Sequence, residues 1–136
     1  MKQSLLQEKY PVYSLELLKP ETPMKDAGAI IEYLKGCIAR HKIAEFISTF
    51  DHYAHTRALE EGEIADDILA AKHVIFCFGT HLKDSHVMAV RPRSIGVVEK
   101  ADRFVITFLE APMPLANSAM EGWVKALARS PEAIPA

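Results

Sequence analysis

The chain has 136 residues, a length that suits one domain with its own hydrophobic core. Hydrophobic residues make up 49% of the chain and charged residues 25%, which is typical of a soluble globular protein. The formal net charge of -2 argues against broad nucleic-acid binding, because domains of that kind usually carry a basic excess.

The sequence contains no recognisable targeting or membrane signal. Only Leu5 and Leu6 precede the polar run QEK near the start, so we expect no signal peptide. No apolar run approaches the length of a membrane span. Cys37 and Cys77 lack a CxxC spacing and suit buried thiols. We therefore expect a cytoplasmic protein with neither a membrane nor a nucleic acid as partner.

The first forty residues predict one strand and one long helix. Residues 1–9 are polar and predict a lead-in or a short helical turn, and residues 10–19 predict a strand. Residues 24–40 predict a helix, because apolar residues repeat there at helical spacing. That stripe consists of Ala27, Ile30, Ile31, Leu34 and Ile38.

Residues 43–54 fit two patterns at once. A strand would place alternate residues on opposite faces, whereas a helix would gather Ile43, Phe46, Ile47 and Phe50 into one apolar stripe. The run FISTF is rich in aromatic and β-branched residues, and this favours the strand. The helix remains the alternative.

The second half of the chain predicts a loop, two helices and several strands. We expect a loop over 57–63 and a short helix over 64–72. Residues 73–79, HVIFCFG, give the strongest strand signal, and they are apolar on both faces. Further predicted elements are strands over 86–91, 95–99 and 103–110, a helix over about 115–129 and a flexible tail over 130–136.

This order predicts an α+β fold, with a mostly antiparallel sheet of five to six strands and two main helices packed on one face. Residues 1–129 would form a single domain. Two helices hardly explain apolar residues on both faces of strands 73–79 and 103–110. We therefore expect a partner subunit, a ligand or a curled sheet to cover the second face, and a homodimer ranks first.

Five of the six histidines lie between His52 and His86. On a helix, His52 and His55 would point the same way and could chelate one metal, whereas on a regular strand they would lie on opposite faces. Chelation would then require the strand to end near His52 and the chain to turn. The alternative is that these residues are polar groups at a strand end, because their spacing matches no established metal signature.

Arg91 and Arg93 flank Pro92 and form a second candidate. In an extended chain their guanidinium groups would project on the same side, and they could grip the carboxylate or phosphate of a small anionic ligand. The alternative is that both form ion pairs with acidic residues at the surface or across a dimer. The full set of candidate ligand-binding residues is Asp51, His52, Tyr53, His55, Arg91 and Arg93.

Four short motifs resemble a family of small bacterial proteins of unknown function. They are FDHYAHT at 50–56, VIFCFG at 74–79, AVRPRSIGV at 89–97 and EAPMP at 110–114, the last followed by Trp123. The resemblance runs from Tyr10 to about Leu127. It implies an intact single domain, and it transfers no activity, cofactor or catalytic residue.

The leading functional hypothesis is a small-ligand or protein-binding domain without catalysis of its own. One alternative is a metal-assisted enzyme that uses Asp51, His52 and His55 near Arg91 and Arg93. Another is a structural interaction module. The sequence contains no GxGxxG, GxSxG or phosphate-loop motif, and it indicates no cofactor.

Overall fold

A six-stranded antiparallel sheet is the frame of the computed structural model, which describes residues 1–128. The strands lie in the order β1-β2-β6-β5-β4-β3, and every neighbouring pair is antiparallel. This confirms the predicted fold class. The strands are β1 (Lys2–Leu6), β2 (Tyr10–Leu18), β3 (Ala44–Asp51), β4 (Ala70–Phe78), β5 (Arg93–Glu99) and β6 (Arg103–Leu109).

Three α-helices accompany the sheet within the described residues, and none of them is long and apolar enough to span a membrane. They are α1 (Ala27–Arg40), α2 (His52–Ala58) and α3 (Pro114–Lys125). Short 3₁₀ segments cover Lys19–Glu21, Ser85–Val90 and Ala126–Ala128. The predicted tail over residues 130–136 lies outside the described residues.

The hydrophobic core lies between one face of the sheet and helices α1 and α3. Alternate strand residues point into it, as a period of two requires. The hydroxyl of Tyr33 on α1 donates a hydrogen bond to the carbonyl of Trp123 on α3 at 2.8 Å, which joins the two helices. The largest fully buried strand side chains are Leu17, Val74, Phe76, Ile95, Val97, Phe104 and Ile106.

The opposite face of the sheet, here called the open face, is only half buried. On β4 the core residues Val74 and Phe76 are fully buried, whereas Ile75 and Cys77 on the open face are partly exposed. Helix α2 contacts β4 from this side. The open face is therefore less covered than a continuous apolar run implies.

Residues 43–54 contain a strand followed by a helix. Strand β3 ends at Asp51, and α2 begins at His52. The Asp51 carboxylate accepts a hydrogen bond from the backbone N–H of Ala54 at 2.9 Å, so it caps the helix that the strand leads into. The helix continues to Ala58, so the loop predicted over 57–63 begins two residues later.

The prediction for residues 1–9 was wrong, because residues Lys2–Leu6 form edge strand β1. Gln7 and Glu8 adopt left-handed backbone conformations, with φ values of 53° and 60°, and reverse the chain so that β1 pairs with β2. Residues other than glycine adopt this conformation in only a few per cent of cases. The sequence therefore contained no glycine here that would have predicted the turn.

Two further predictions were wrong. Residues 64–72 do not form a helix, since Ala70 and Ala71 pair with Glu99 and Val98 of β5 and the ladder overrides the helix preference of alanine. Residues 86–91 do not form a strand. The Asp84 carboxylate accepts a hydrogen bond from the backbone N–H of His86 at 2.9 Å and starts a 3₁₀ segment there.

Candidate functional site

The sheet separates the two groups of predicted site residues. Asp51 lies opposite Lys72 on β4, whereas Arg93 lies opposite Phe76, four residues and about 13 Å further along that strand. Arg93 points to the core side, and α2 with its histidines lies on the open face. The metal-assisted enzyme alternative required Asp51, His52 and His55 to lie near Arg91 and Arg93, and the structure does not bring these two groups together.

A cavity of about 80 Å³ lies at the start of β5, beside the first turn of α3. It is mostly apolar, and Arg91 and Arg93 are its charged residues. We call it the arginine pocket. Its lining consists of Phe78, Val87, Val90, Arg91, Arg93, Ala111, Pro112, Met113 and Ala116.

Arg93 is the one charged residue of the described chain that is buried, with 8% of its surface exposed. Its two terminal nitrogens donate hydrogen bonds to backbone carbonyls, Nη1 to Val90 at 3.1 Å and Nη2 to Leu109. The Nε–H is buried and has no partner within residues 1–128. Burial lowers the pKa of the guanidinium, because an apolar surrounding disfavours its charged form.

The divergence of β5 from β6 explains where Arg93 points. Within the described strands, their pairing covers only Gly96–Glu99 on β5, so the strands separate before Arg93. If the ladder continued, a backbone N–H would occupy this position. Because the strands have separated, the Leu109 carbonyl accepts a hydrogen bond from the Arg93 side chain instead.

Arg91 lies across the end of β4. Its Nη1 donates a hydrogen bond to the His81 carbonyl at 2.6 Å. Gly79 has a φ of +93°, and a Cβ added there would lie 3.3 Å from Nη2 of Arg91. The left-handed backbone therefore favours glycine at this position, and an added Cβ would also require the guanidinium of Arg91 to shift slightly.

Neither arginine of the pocket forms a salt bridge with an acidic residue of the described chain. Arg103 on the neighbouring strand provides the contrast, since it contacts Asp102 at 3.0 Å and Glu16 at 3.5 Å. The ion pairs expected for surface arginines are thus found for Arg103 and not for Arg91 or Arg93. An anion in the arginine pocket would supply the missing negative charge.

Asn117 fixes the wall of the arginine pocket formed by the segment before α3. Its Oδ1 accepts a hydrogen bond from the Ala111 N–H at 2.7 Å, and its Nδ2 donates one to the Ala111 carbonyl at 2.9 Å. The amide side chain therefore satisfies both backbone groups of a residue that is itself buried.

We expect Asn117→Ala to lower the free energy of unfolding by about 2 kcal/mol, because it leaves two backbone groups near the core without partners. Chemical denaturation followed by fluorescence measures the change. Asn117→Asp keeps the acceptor and loses the donor, so it should cost less than the alanine variant. Equal stability of Asn117→Ala and the wild type would show that this contact does not hold the segment.

Three of the histidines, His52, His55 and His73, gather on the open face around Phe50. The Nδ1 atom of His52 lies 3.0 Å from Nε2 of His73, and the Phe50 ring stacks on His73 with ring centroids 5.9 Å apart. His55, one turn along α2, has its ring centroid 6.2 Å from that of His52. Burial and the neighbouring His52 lower the pKa of His73. In residues 1–128, no group of three His, Cys, Asp or Glu residues is arranged to hold a metal.

The sequence did not indicate His73 as the partner of His52. The contact depends on the pairing of β3 with β4, in which Phe50 lies opposite His73. The other predicted residues of this region have local partners. Asp51 caps α2, and the Tyr53 hydroxyl accepts a hydrogen bond from Nη1 of Arg57 at 3.2 Å.

A second cavity, of about 270 Å³, lies beside α2 on the open face. His52, Tyr53 and Glu63 contribute polar groups to it, and the remaining lining is mainly apolar. It does not include either arginine of the arginine pocket. The two cavities are therefore separate sites on opposite faces of the sheet.

Comparison with known proteins identifies a family. No curated protein and no solved structure matches the chain. A family of unknown function, DUF6858, matches residues 1–129, which spans all the residues described above. The chain belongs to this family, in agreement with the resemblance of its motifs to a family of unknown function.

Proposed function

We propose that this protein is a small-ligand-binding domain, and that the arginine pocket binds the carboxylate group of a small anionic molecule. The observation that carries the proposal is the buried guanidinium of Arg93, which has no acidic partner in the described chain and whose Nε–H has no hydrogen-bond partner there. A buried charge without a counter-ion is costly to a folded protein, and an anionic ligand would offset that cost.

The donors of the pocket suit one carboxylate. Arg93 contributes the positive charge of its guanidinium to the lining, and Arg91 makes no hydrogen bond from Nη2 within residues 1–128. Charge-assisted bonds of this kind contribute about 1.5–3 kcal/mol each. The first turn of α3 borders the same cavity, and the partial positive charge of a helix N-terminus also favours an anion.

The size and walls of the pocket restrict the rest of the ligand. A cavity of about 150 Å³ is enough to bind benzene, so the 80 Å³ found here suits roughly three to five heavy atoms. Phe78, Val87, Val90 and Met113 line it with apolar surface. A short monocarboxylic acid with an aliphatic chain therefore fits better than a phosphate, whose extra oxygens would face apolar walls.

Isothermal titration calorimetry with formate, acetate, propionate, butyrate and inorganic phosphate tests the proposal. We expect one short carboxylate to bind, and its neutral amide analogue to bind at least about tenfold more weakly, since the amide carries no charge. Arg93→Met should raise Kd by about 10- to 100-fold, because it removes the buried positive charge that attracts the carboxylate.

Arg103→Met is the matched control, because Arg103 lies on the adjacent strand and already has acidic partners. It should leave Kd unchanged. Circular dichroism shows whether each variant is folded before titration, and Arg91→Met provides a second variant of the pocket. The proposal is wrong if no carboxylate binds, or if the amide binds as tightly as the carboxylate. It is also wrong if the Arg93→Met protein binds the carboxylate as tightly as the wild type.

A further inference from the structure

We propose that His52 and His73 form a binding site for a divalent transition metal on the open face, with Cu²⁺ or Ni²⁺ preferred. The site lies on the other side of the sheet from the arginine pocket and does not depend on it. Imidazole nitrogens are good ligands for these ions. The two residues come from different elements, α2 and β4, which the fold brings together.

The distance between the two nitrogens supports this assignment. His52 Nδ1 and His73 Nε2 are 3.0 Å apart. Two ligands that far apart, each about 2.1 Å from one ion, subtend an angle of about 90° at that ion. This is the angle between neighbouring ligands in square-planar or octahedral geometry, which suits Cu²⁺ and Ni²⁺, whereas tetrahedral Zn²⁺ needs a wider separation.

The surroundings hold both rings in place. His52 is the first residue of α2, and the Asp51 cap fixes the start of that helix. Phe50 packs against both rings, with its centroid 5.2 Å from that of His52 and 5.9 Å from that of His73. Ligands held by packing lose little side-chain freedom when a metal binds, which favours affinity.

Coordination sites would remain open on the ion. In the described chain the two imidazoles have no third ligand at binding distance, since His55 is a helical turn away and no three-residue metal group is present. Water or an added molecule would fill the remaining positions. The cavity of about 270 Å³ that His52 lines with Tyr53 and Glu63 offers space for such a molecule.

A proton shared between the two imidazoles in an N–H···N hydrogen bond would also account for the 3.0 Å distance. The two explanations differ in what they predict for added metal. A proton-bridged pair without metal affinity gives no stoichiometric binding, whereas a metal site exchanges the shared proton for the ion.

The test is a titration of the full chain, first stripped with a chelator, with CuSO₄ and with NiCl₂ in a carboxylate-free buffer. We expect one ion per chain by calorimetry, and a Cu²⁺ electron paramagnetic resonance spectrum with coupling to two imidazole nitrogens. His52→Ala and His73→Ala should each weaken binding by roughly tenfold or more.

His55→Ala and His86→Ala are the matched controls. His55 lies on the same helix, and the His86 side chain is 92% exposed, so neither substitution should change the affinity. Arg93→Met should also retain metal binding, which separates this result from the carboxylate proposal. The inference is overturned by sub-stoichiometric binding, by unchanged affinity in His52→Ala or His73→Ala, or by an equal loss in either control. If a variant fails to fold, the test is whether the electron paramagnetic resonance spectrum of the wild type shows coupling to two imidazole nitrogens.

Discussion

Phe76→Ala is expected to lower the free energy of unfolding by about 3–5 kcal/mol, the cost typical of removing a buried aromatic ring from a core. Phe76 is fully buried on β4, and its ring contacts those of Phe78 and Trp123 at centroid distances of 5.6 and 5.9 Å. Urea unfolding measures the loss. Trp123 is the single tryptophan of the chain and stacks on Phe78, so its fluorescence reports directly on this core.

Cys77→Ala is the matched control, because Cys77 is the next residue and points to the open face. It should change the free energy of unfolding by less than about 1 kcal/mol. A loss as large as that of Phe76→Ala would contradict a half-exposed open face and would indicate that something covers it in solution. The predicted homodimer would be one such cover, and it stays a prediction.

The comparison of Phe76 with Cys77 shows what the sequence of β4 could and could not predict. The run VIFCFG predicted a strand correctly, because it is short and consists mainly of β-branched and aromatic apolar residues. It also predicted burial on both faces, whereas Ile75 and Cys77 are partly exposed. Apolar residues are tolerated on a half-exposed face, so an unbroken apolar run does not by itself distinguish two covered faces from one.

The two candidate sites differ in how far the sequence could predict them. Arg91 and Arg93 were identified from their spacing around Pro92, and both do line one cavity. The missing acidic partners could not be foreseen, because ion pairs depend on which side chains the folded sheet brings together. The apolar lining from Met113 and Ala116 comes from a segment distant in sequence and carried no signal of its own.

The contact between His52 and His73 depends on a single irregularity in the sheet. The register of β3 against β4 shifts between Phe46 and Ser48, which leaves Ile47 unpaired in a β-bulge. This shift places Phe50 opposite His73, and α2 then begins with His52 above it. A regular ladder would place Thr49 opposite His73 instead, and each following residue of β3 would point to the other face of the sheet. No sequence pattern predicted that bulge.

Glu99→Ala is expected to lower the free energy of unfolding by about 3 kcal/mol, because it breaks a largely buried ion pair and also removes a helix cap. The Glu99 carboxylate ends β5 with only 15% of its side chain exposed. Its Oε2 contacts Nζ of Lys19 at 2.9 Å, and its Oε1 accepts a hydrogen bond from the N–H of Ala27, the first residue of α1, at 2.9 Å. The positive end of the helix dipole strengthens the second contact.

Three variants separate the contributions of Glu99 in the same unfolding measurement. Glu99→Gln keeps an acceptor for the Ala27 N–H without the charge, so it should cost less than Glu99→Ala. Glu121→Ala removes a partly exposed ion pair with Lys125 on α3 and should cost less than about 0.5 kcal/mol. If Glu99→Ala costs no more than Glu121→Ala, the carboxylate does not join β5 to α1. The cost of Lys19→Met should lie between those of Glu121→Ala and Glu99→Ala, because it leaves the Glu99 charge without its ion-pair partner but keeps the hydrogen bond of Glu99 to the helix.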